Sequence, residues 1–341
     1  MRRHTLVLNT MHRRLLDVLA CPKCRNVLDL VADVGGSDIT SGALSCRSCD
    51  ATFPIVNGIP RFVPTENYAS SFGFQWNRFR LEQLDSVNGT MLSRDRFYLE
   101  TGWSPEWLSG KLVLDAGCGA GRFLEIAART GANVVGVDIS NAVDAAAATL
   151  GGRPNLDLVQ ARIDELPFRD GVFDGVYCIG VIQHTDAPES CVRSIARALG
   201  PGGRIAITAY ERRRWTMLYS KYLARRLTAR LSPRGLYRLI SVLLPIVFPI
   251  TELLYRLPLV GRFFRFVIPV ANYVDLPLSL RQRYRWALLD TFDMLAPAYD
   301  QPQRYRDLQA WLGDESVLDV RRLPNPGLNV VGRRADRRAS G

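Results

Sequence analysis

Between Lys111 and Tyr210 short apolar runs alternate with stretches whose apolar positions recur every three or four residues. The runs predict strands near 111–115, 133–138, 156–160, 172–178 and 203–209. The recurrent stretches predict helices near 121–130, 141–150 and 187–199. Strand and helix in strict alternation describe a mostly parallel sheet covered by helices. Pro201-Gly202-Gly203 is the stop before the fifth strand. Two further runs, Ser316 to Val320 and Leu328 to Gly332, flank a Pro324-Asn325-Pro326-Gly327 turn.

The pattern differs on either side of this block. His12 to Ala20 predicts a short helix with Leu15, Leu16 and Leu19 on one face. Val27 to Val31 and Ala43 to Cys46 predict strands, with a turn at Gly35 to Asp38, and Phe53 to Phe62 predicts an extended segment turning at Asn57-Gly58. Pro64 to Tyr98 reads as a linker plus a cover, dense in aromatics from Ser71 to Phe79. Glu82 to Glu100 reads as helix interrupted near Asn88-Gly89. Glu211 to Leu289 is helical in character and too long for a sheet connection. It is read as an insertion, with Pro245, Pro249 and Pro258 expected to break any long helix. No uninterrupted apolar run reaches the ~18 residues of a spanning helix.

The boundaries that follow are 1–64, a cysteine-rich ribbon; 65–108, linker and cover; 109–210, the α/β core; 211–289, the helical insertion; and 290–335, the helix and hairpin completing the sheet. The chain has 341 residues, 47% of them hydrophobic, and a net charge of +11. That is ample for a core and favours an anionic partner. The charge is local. Residues 212–289 carry fifteen basic side chains against two acids, Glu252 and Asp275, a net +13. Leu239 to Thr251 within it has no charge. Basic residues interleaved with Leu, Phe, Tyr and Trp are expected to form a helical cap over the sheet. Contact with an anionic membrane surface and, less well, RNA binding are the alternatives. As a cap, Leu243, Leu244, Val247, Leu253 and Leu254 are expected to be buried, and the arginines of 212–238 to face outwards. Met1 to Met11 is basic with a short apolar run and does not read as a signal peptide.

Two stretches carry chemistry. Cys21-Pro22-Lys23-Cys24 and Cys46-Arg47-Ser48-Cys49 form two CxxC knuckles, which place four thiolates around a structural zinc ion; a catalytic zinc requires an open position and a different ligand set. The other stretch is Asp115-Ala116-Gly117-Cys118-Gly119-Ala120-Gly121. It lies between strand and helix, with Asp138 ending the next strand about 20 residues on. Glycines there permit a tight turn and close backbone approach to a ligand, and such an acid binds ribose hydroxyls.

Asp115 to Gly121 resembles the first motif of class I S-adenosylmethionine-dependent methyltransferases, and Val137-Asp138-Ile139-Ser140 resembles the second. Leu166-Pro167-Phe168, Phe173 to Tyr177 and Leu199 to Gly203 match later landmarks in order. His12 to Phe62 looks like the small zinc-ribbon protein that activates several RNA and protein methyltransferases. The resemblance implies a Rossmann-like seven-stranded sheet, closed by the 316–332 hairpin, with an N-terminal zinc ribbon and a helical insertion. It implies S-adenosyl-L-methionine as cofactor, held by Asp115, Gly117, Gly119, Gly121, Asp138 and Ile139. Arg162 stands where many relatives have an acid beside the adenine, so Gln160, Asp164 or a backbone carbonyl is expected to serve there. Cys178 is counted with the cofactor contacts and, like Cys118 and Cys191, reads as a small apolar residue and not a nucleophile. His184, after the fourth strand, is the candidate general base, with a positioning role as the alternative. Asp290, Asp293 and Tyr299 are expected to line an acceptor pocket or to cap and pack. The implied activity is methyl transfer to a small-molecule or lipid-linked acceptor, on an oxygen or nitrogen nucleophile, in the cytoplasm or peripherally at the membrane. The alternative is an RNA methyltransferase reading its target through the ribbon; the near-neutral ribbon argues against it.

Overall fold

A computed structural model describes residues 9–32, 38–64 and 67–336. The Gly35–Ser37 part of the expected ribbon turn lies outside them. The core is a seven-stranded sheet. Its strands are β1 (Leu112–Ala116), β2 (Asn133–Asp138), β3 (Leu156–Gln160), β4 (Phe173–Ile179), β5 (Leu199–Ala209), β6 (Val317–Arg322) and β7 (Leu328–Arg334). The order across the sheet is β6-β7-β5-β4-β1-β2-β3, and β7 runs antiparallel to both β5 and β6. The alternation predicts a mostly parallel sheet, and this is the seven-stranded Rossmann-like form that the resemblance implies. β1 and β4 are central neighbours, and connections leave them in opposite directions, so their carboxyl ends flank the crevice where such sheets bind ligands. β5 starts at Leu199, before Pro201-Gly202-Gly203: the expected stop lies within the strand, inside a register shift against β4.

The longer helices, in chain order, are α1 (Ser70–Arg78), α2 (Leu92–Thr101), α3 (Arg122–Arg129), α4 (Ala142–Leu150), α5 (Pro188–Ala198), α6 (Ser220–Thr228), α7 (Pro233–Leu254), α8 (Gly261–Val267), α9 (Leu280–Leu295) and α10 (Tyr305–Asp314). Packed cores lie on both faces of the sheet. One joins β1 and β2 to α3 and α4; the other joins the ribbon, α5 and α10.

The ribbon is therefore not independent of the sheet. Met11, Leu15 and Leu19 share a core with Leu166 and Phe168. The amide of Ala20 donates to the Pro167 carbonyl at 2.9 Å, and that of Phe62 to the Gln160 carbonyl at 2.8 Å. Asp157, buried in edge strand β3, accepts from the His12 amide at 2.9 Å and from Arg14 Nη2 at 3.1 Å. The ribbon covers an edge that would otherwise expose unpaired backbone.

The insertion folds as a cap, with four corrections to the sequence reading. First, α7 runs through Pro245 and Pro249 as one helix of 22 residues. Both prolines face outwards, and packing of the opposite face offsets their cost of about 3 kcal/mol each. The helix is also long and apolar enough to span a membrane by length and composition. Second, only one stripe of it is buried. Leu236, Ile240, Leu244 and Phe248 pack with Ala287, Phe292 and Leu295 of α9, whereas Leu243 and Leu253 are exposed. Third, α9 crosses the expected boundary at 289. Arg225 is also not on the outer face: it is buried, donating to the carbonyls of Met294 and Pro297. With Thr228, which donates to Leu295, it satisfies carbonyls that the end of α9 leaves free.

Candidate functional site

The turn after β1 needs its glycines for two different reasons. Gly117 has φ 93°, and a Cβ there would come within 2.5 Å of the Val181 side chain. Gly121 has φ 90°, but its missing Cβ makes room for Leu150 of α4, at 2.5 Å. The first brings backbone to a cavity; the second lets α3 and α4 approach. A cavity of about 830 Å³ opens at this turn. Its wall includes Gly117, Cys118, Gly119, Asp138, Ile139 and His184 from the core. Phe72 and Trp76 come from α1, Arg96 and Arg122 from α2 and α3, and Tyr210, Lys221, Tyr273, Trp286, Asp290 and Asp293 from the cap and its flanks. Asp115, Gly121, Asp164 and Cys178 are not in that wall. Asp164 is taken by Arg162, whose Nη2 lies 2.6 Å from Oδ2. Cys178 is fully buried in β4 among the core residues behind the sheet. Neither is placed as a cofactor contact.

Asp115 ends β1 with its side chain buried, and its Oδ2 has no hydrogen-bond partner. Burial pushes its carboxyl well above the usual range, and the Asp138 carboxylate nearby pushes the same way. Asp138 accepts from the Gly119 amide at 3.0 Å through Oδ2, and from the Ser140 amide and hydroxyl at 2.8 and 2.7 Å through Oδ1. These use three of the roughly four acceptor positions of a carboxylate. The set fits S-adenosylmethionine: a turn whose glycines lack side chains, a carboxylate with acceptor capacity left for a ribose hydroxyl, and, buried behind the turn, an acid with an unpaired oxygen.

The cover is α1. Trp76 Nε1 would lie 3.1 Å from a Cβ at Gly119, the Phe72 and His184 rings are 5.3 Å apart, and Phe74 packs on Phe292 and Tyr237. Gln75 Nε2 donates to Asp293 Oδ1 at 2.9 Å. One short helix thus touches the glycine turn, the histidine and the cap.

His184 is buried, with Nδ1 3.0 Å from the Tyr299 carbonyl and its ring against Tyr210. A carbonyl can only accept, so Nδ1 carries the proton and Nε2 is the free base of the neutral ring. Tyr299 thus acts through its backbone, and its side chain is not in the cavity wall. Asp290 accepts from the Tyr273 hydroxyl, and burial followed by the Asp293 charge pushes its carboxyl up to about 7. Arg122 donates to Ser93 Oγ at 2.9 Å and Gln83 Oε1 at 3.0 Å; burial, then Arg96, lowers its pKa to about 10. Sequence reading missed Arg96, Arg122, Tyr210, Lys221, Tyr273 and Trp286, because they come from four separate segments that only the fold brings together.

In the ribbon, the sulfurs of Cys21, Cys24, Cys46 and Cys49 all lie within 4.8 Å of one another. That spacing and chemistry fit a tetrahedral structural zinc ion.

Residues 114–207 match the family described as Methyltransferase domain, and residues 12–58 match the family described as Trm112p-like protein. The chain is 35% identical over 135 residues to a ubiquinone biosynthesis O-methyltransferase of Erwinia tasmaniensis, covering 38% of this chain and 54% of that protein. It is 32% identical over 142 residues to the Pseudomonas aeruginosa protein of the same name, covering 40% and 61%. The chain thus spans little more than half the length of these curated relatives. Among solved structures, the magnesium protoporphyrin IX methyltransferase of Synechocystis PCC 6803 with bound SAH is 16% identical, at a TM-score of 0.41, covering 79% of this chain and 97% of that one.

Proposed function

We propose, for a chain that carries an S-adenosylmethionine-dependent methyltransferase domain behind a Trm112p-like ribbon, that it transfers a methyl group to a small acceptor with an apolar body. The acceptor is free or lipid-linked, and the enzyme works in the cytoplasm or peripherally at a membrane. One observation carries this: a single cavity runs from Gly117 and Asp138 to the cap residues Lys221, Tyr273, Asp290 and Asp293. Donor and acceptor sites of one transfer must share such a space.

S-adenosylmethionine would supply an electrophilic sulfonium methyl. Asp115 would hold its amino group, Asp138 its ribose, and Ile139 its adenine face. The protein's work is then mostly orientation and exclusion of water, which α1 and the cap accomplish by closing the cavity from two sides. His184, its Nδ1 proton engaged by Tyr299, would accept the acceptor's proton at Nε2, a step typically worth ~10²–10⁴-fold. Arg96 and Arg122 bring positive charge into the cavity for an anionic group on cofactor or acceptor. The relatives' name, an O-methyltransferase of ubiquinone biosynthesis, favours oxygen over nitrogen as the acceptor atom.

Transfer of label from methyl-labelled S-adenosylmethionine to fractionated cell extract tests the reading. Label should enter the small-molecule and lipid fractions. Label confined to RNA would overturn it.

A further inference from the structure

We infer that the outward face of the cap docks on an anionic lipid surface, with α7 lying in the plane of the interface. Helix α7 has two apolar stripes. The inward one packs on α9; the outward one, Val242, Ile246, Ile250 and Leu253, is 49–69% exposed. Leu259 and Phe263, just beyond the helix, are 96% and 61% exposed. A helix apolar on all sides belongs inside a core or in lipid, and this one has only half its circumference in a core. Its 22 residues would reach ~33 Å. Lipid cannot surround it, because the inward stripe is held by Phe292 and Leu295. An in-plane position remains.

Charge selects the occupant. Arg234 and Arg238 lie near one end of the outward stripe and Arg262 beyond the other, with Arg226 on neighbouring α6 and Arg230 just past its end. All five are exposed, and none has an acidic partner among the described residues. Near an anionic leaflet each adds to the attraction. A second copy docking through the same face would bring these like charges together, and a nucleic acid would leave the isoleucines, valine and leucine in water. Lys221 and Leu276, at the edge of the cap, also line the cavity. Docking therefore holds the acceptor entrance at the headgroups. That consequence rests on the reading of the cavity as an acceptor site; the docking itself does not.

Flotation of the full chain with phosphatidylcholine vesicles, with and without phosphatidylglycerol, tests the docking without any methyl transfer. The protein should float with the anionic vesicles, less so as salt is raised. I246S/I250S should abolish flotation, and R234E/R238E should reduce it roughly tenfold or more at low salt. Both variants should bind S-adenosylmethionine as the wild type does, showing that the fold is intact. A wild-type chain that stays at the bottom with both vesicles overturns the inference. So does a dimer in light scattering that I246S/I250S converts to monomer, which would assign the face to a second copy, or RNA retention lost in R234E/R238E without any flotation. Flotation in a chain that transfers no methyl group would instead count against the proposed function alone.

Discussion

The Arg61 guanidinium, at the end of the ribbon, donates to the Asp144 carboxylate on α4 at 2.6 Å and to Gln160 Oε1 of edge strand β3 at 2.9 Å. One side chain thus pins the ribbon to a strand and to the helix that follows Asp138. Arg61→Ala should destabilise the whole chain by roughly 1.5–3 kcal/mol, the range for charged hydrogen bonds. Denaturant unfolding monitored in ribbon and core would check this. Unfolding of the ribbon alone, with the core unaffected, would contradict it.

Metal loss should propagate the same way. Purified protein should contain about one zinc per chain, bound by the four thiolates. Cys46→Ser/Cys49→Ser should lose it and also lower the melting temperature of the core, because Met11, Leu15 and Leu19 pack on Leu166 and Phe168. Calorimetry showing an unchanged core transition would restore an independent ribbon.

Asp138→Ala should weaken S-adenosylmethionine at least about tenfold, since a charge-assisted hydrogen bond is worth ~1.5–3 kcal/mol. The loss has a second source: Asp138 also holds the Gly119 amide and so the shape of the turn. Titration calorimetry with unchanged affinity would remove Asp138 from the site.

Asp290 gives a pH signature. Its folded pKa of about 7 is raised above the unfolded carboxylate value, chiefly by burial. The folded state binds the proton more tightly, so stability is greatest when Asp290 is protonated and falls as pH rises toward and through 7. Asp290→Asn should therefore raise the melting temperature at pH 8 and change it little at pH 4. Equal shifts at both pH values would show that the carboxyl is not the source.

Neighbouring leucines on α7 should behave oppositely. Leu244→Ala opens a cavity between α7 and α9 and should cost about 2–5 kcal/mol. Leu243→Ala, on the exposed stripe, should stay within roughly 0.5 kcal/mol. Cofactor affinity should survive both, because α7 does not touch the glycine turn. Comparable costs in urea would mean that the outward stripe is covered.

The sequence by itself determined the sheet, the ribbon and the glycine turn beside the cavity. Short apolar runs, glycines that a tight turn demands and cysteines at zinc spacing are local signals, since backbone sterics and ligand geometry act over a few residues. Tertiary structure decided the rest. Asp164 reads as an adenine partner until Arg162 is seen to claim it, and Gly121 reads as cofactor backbone until Leu150 is seen against it. Leu243 and Leu244 are the same residue type side by side, yet helical geometry turns one to α9 and the other to the outside. Arg96, Arg122, Tyr273 and Trp286 carry no common pattern along the chain. They meet only because α1, α2, α3 and the cap close over the carboxyl ends of β1 and β4, and contacts so distant in sequence have no local cause to betray them.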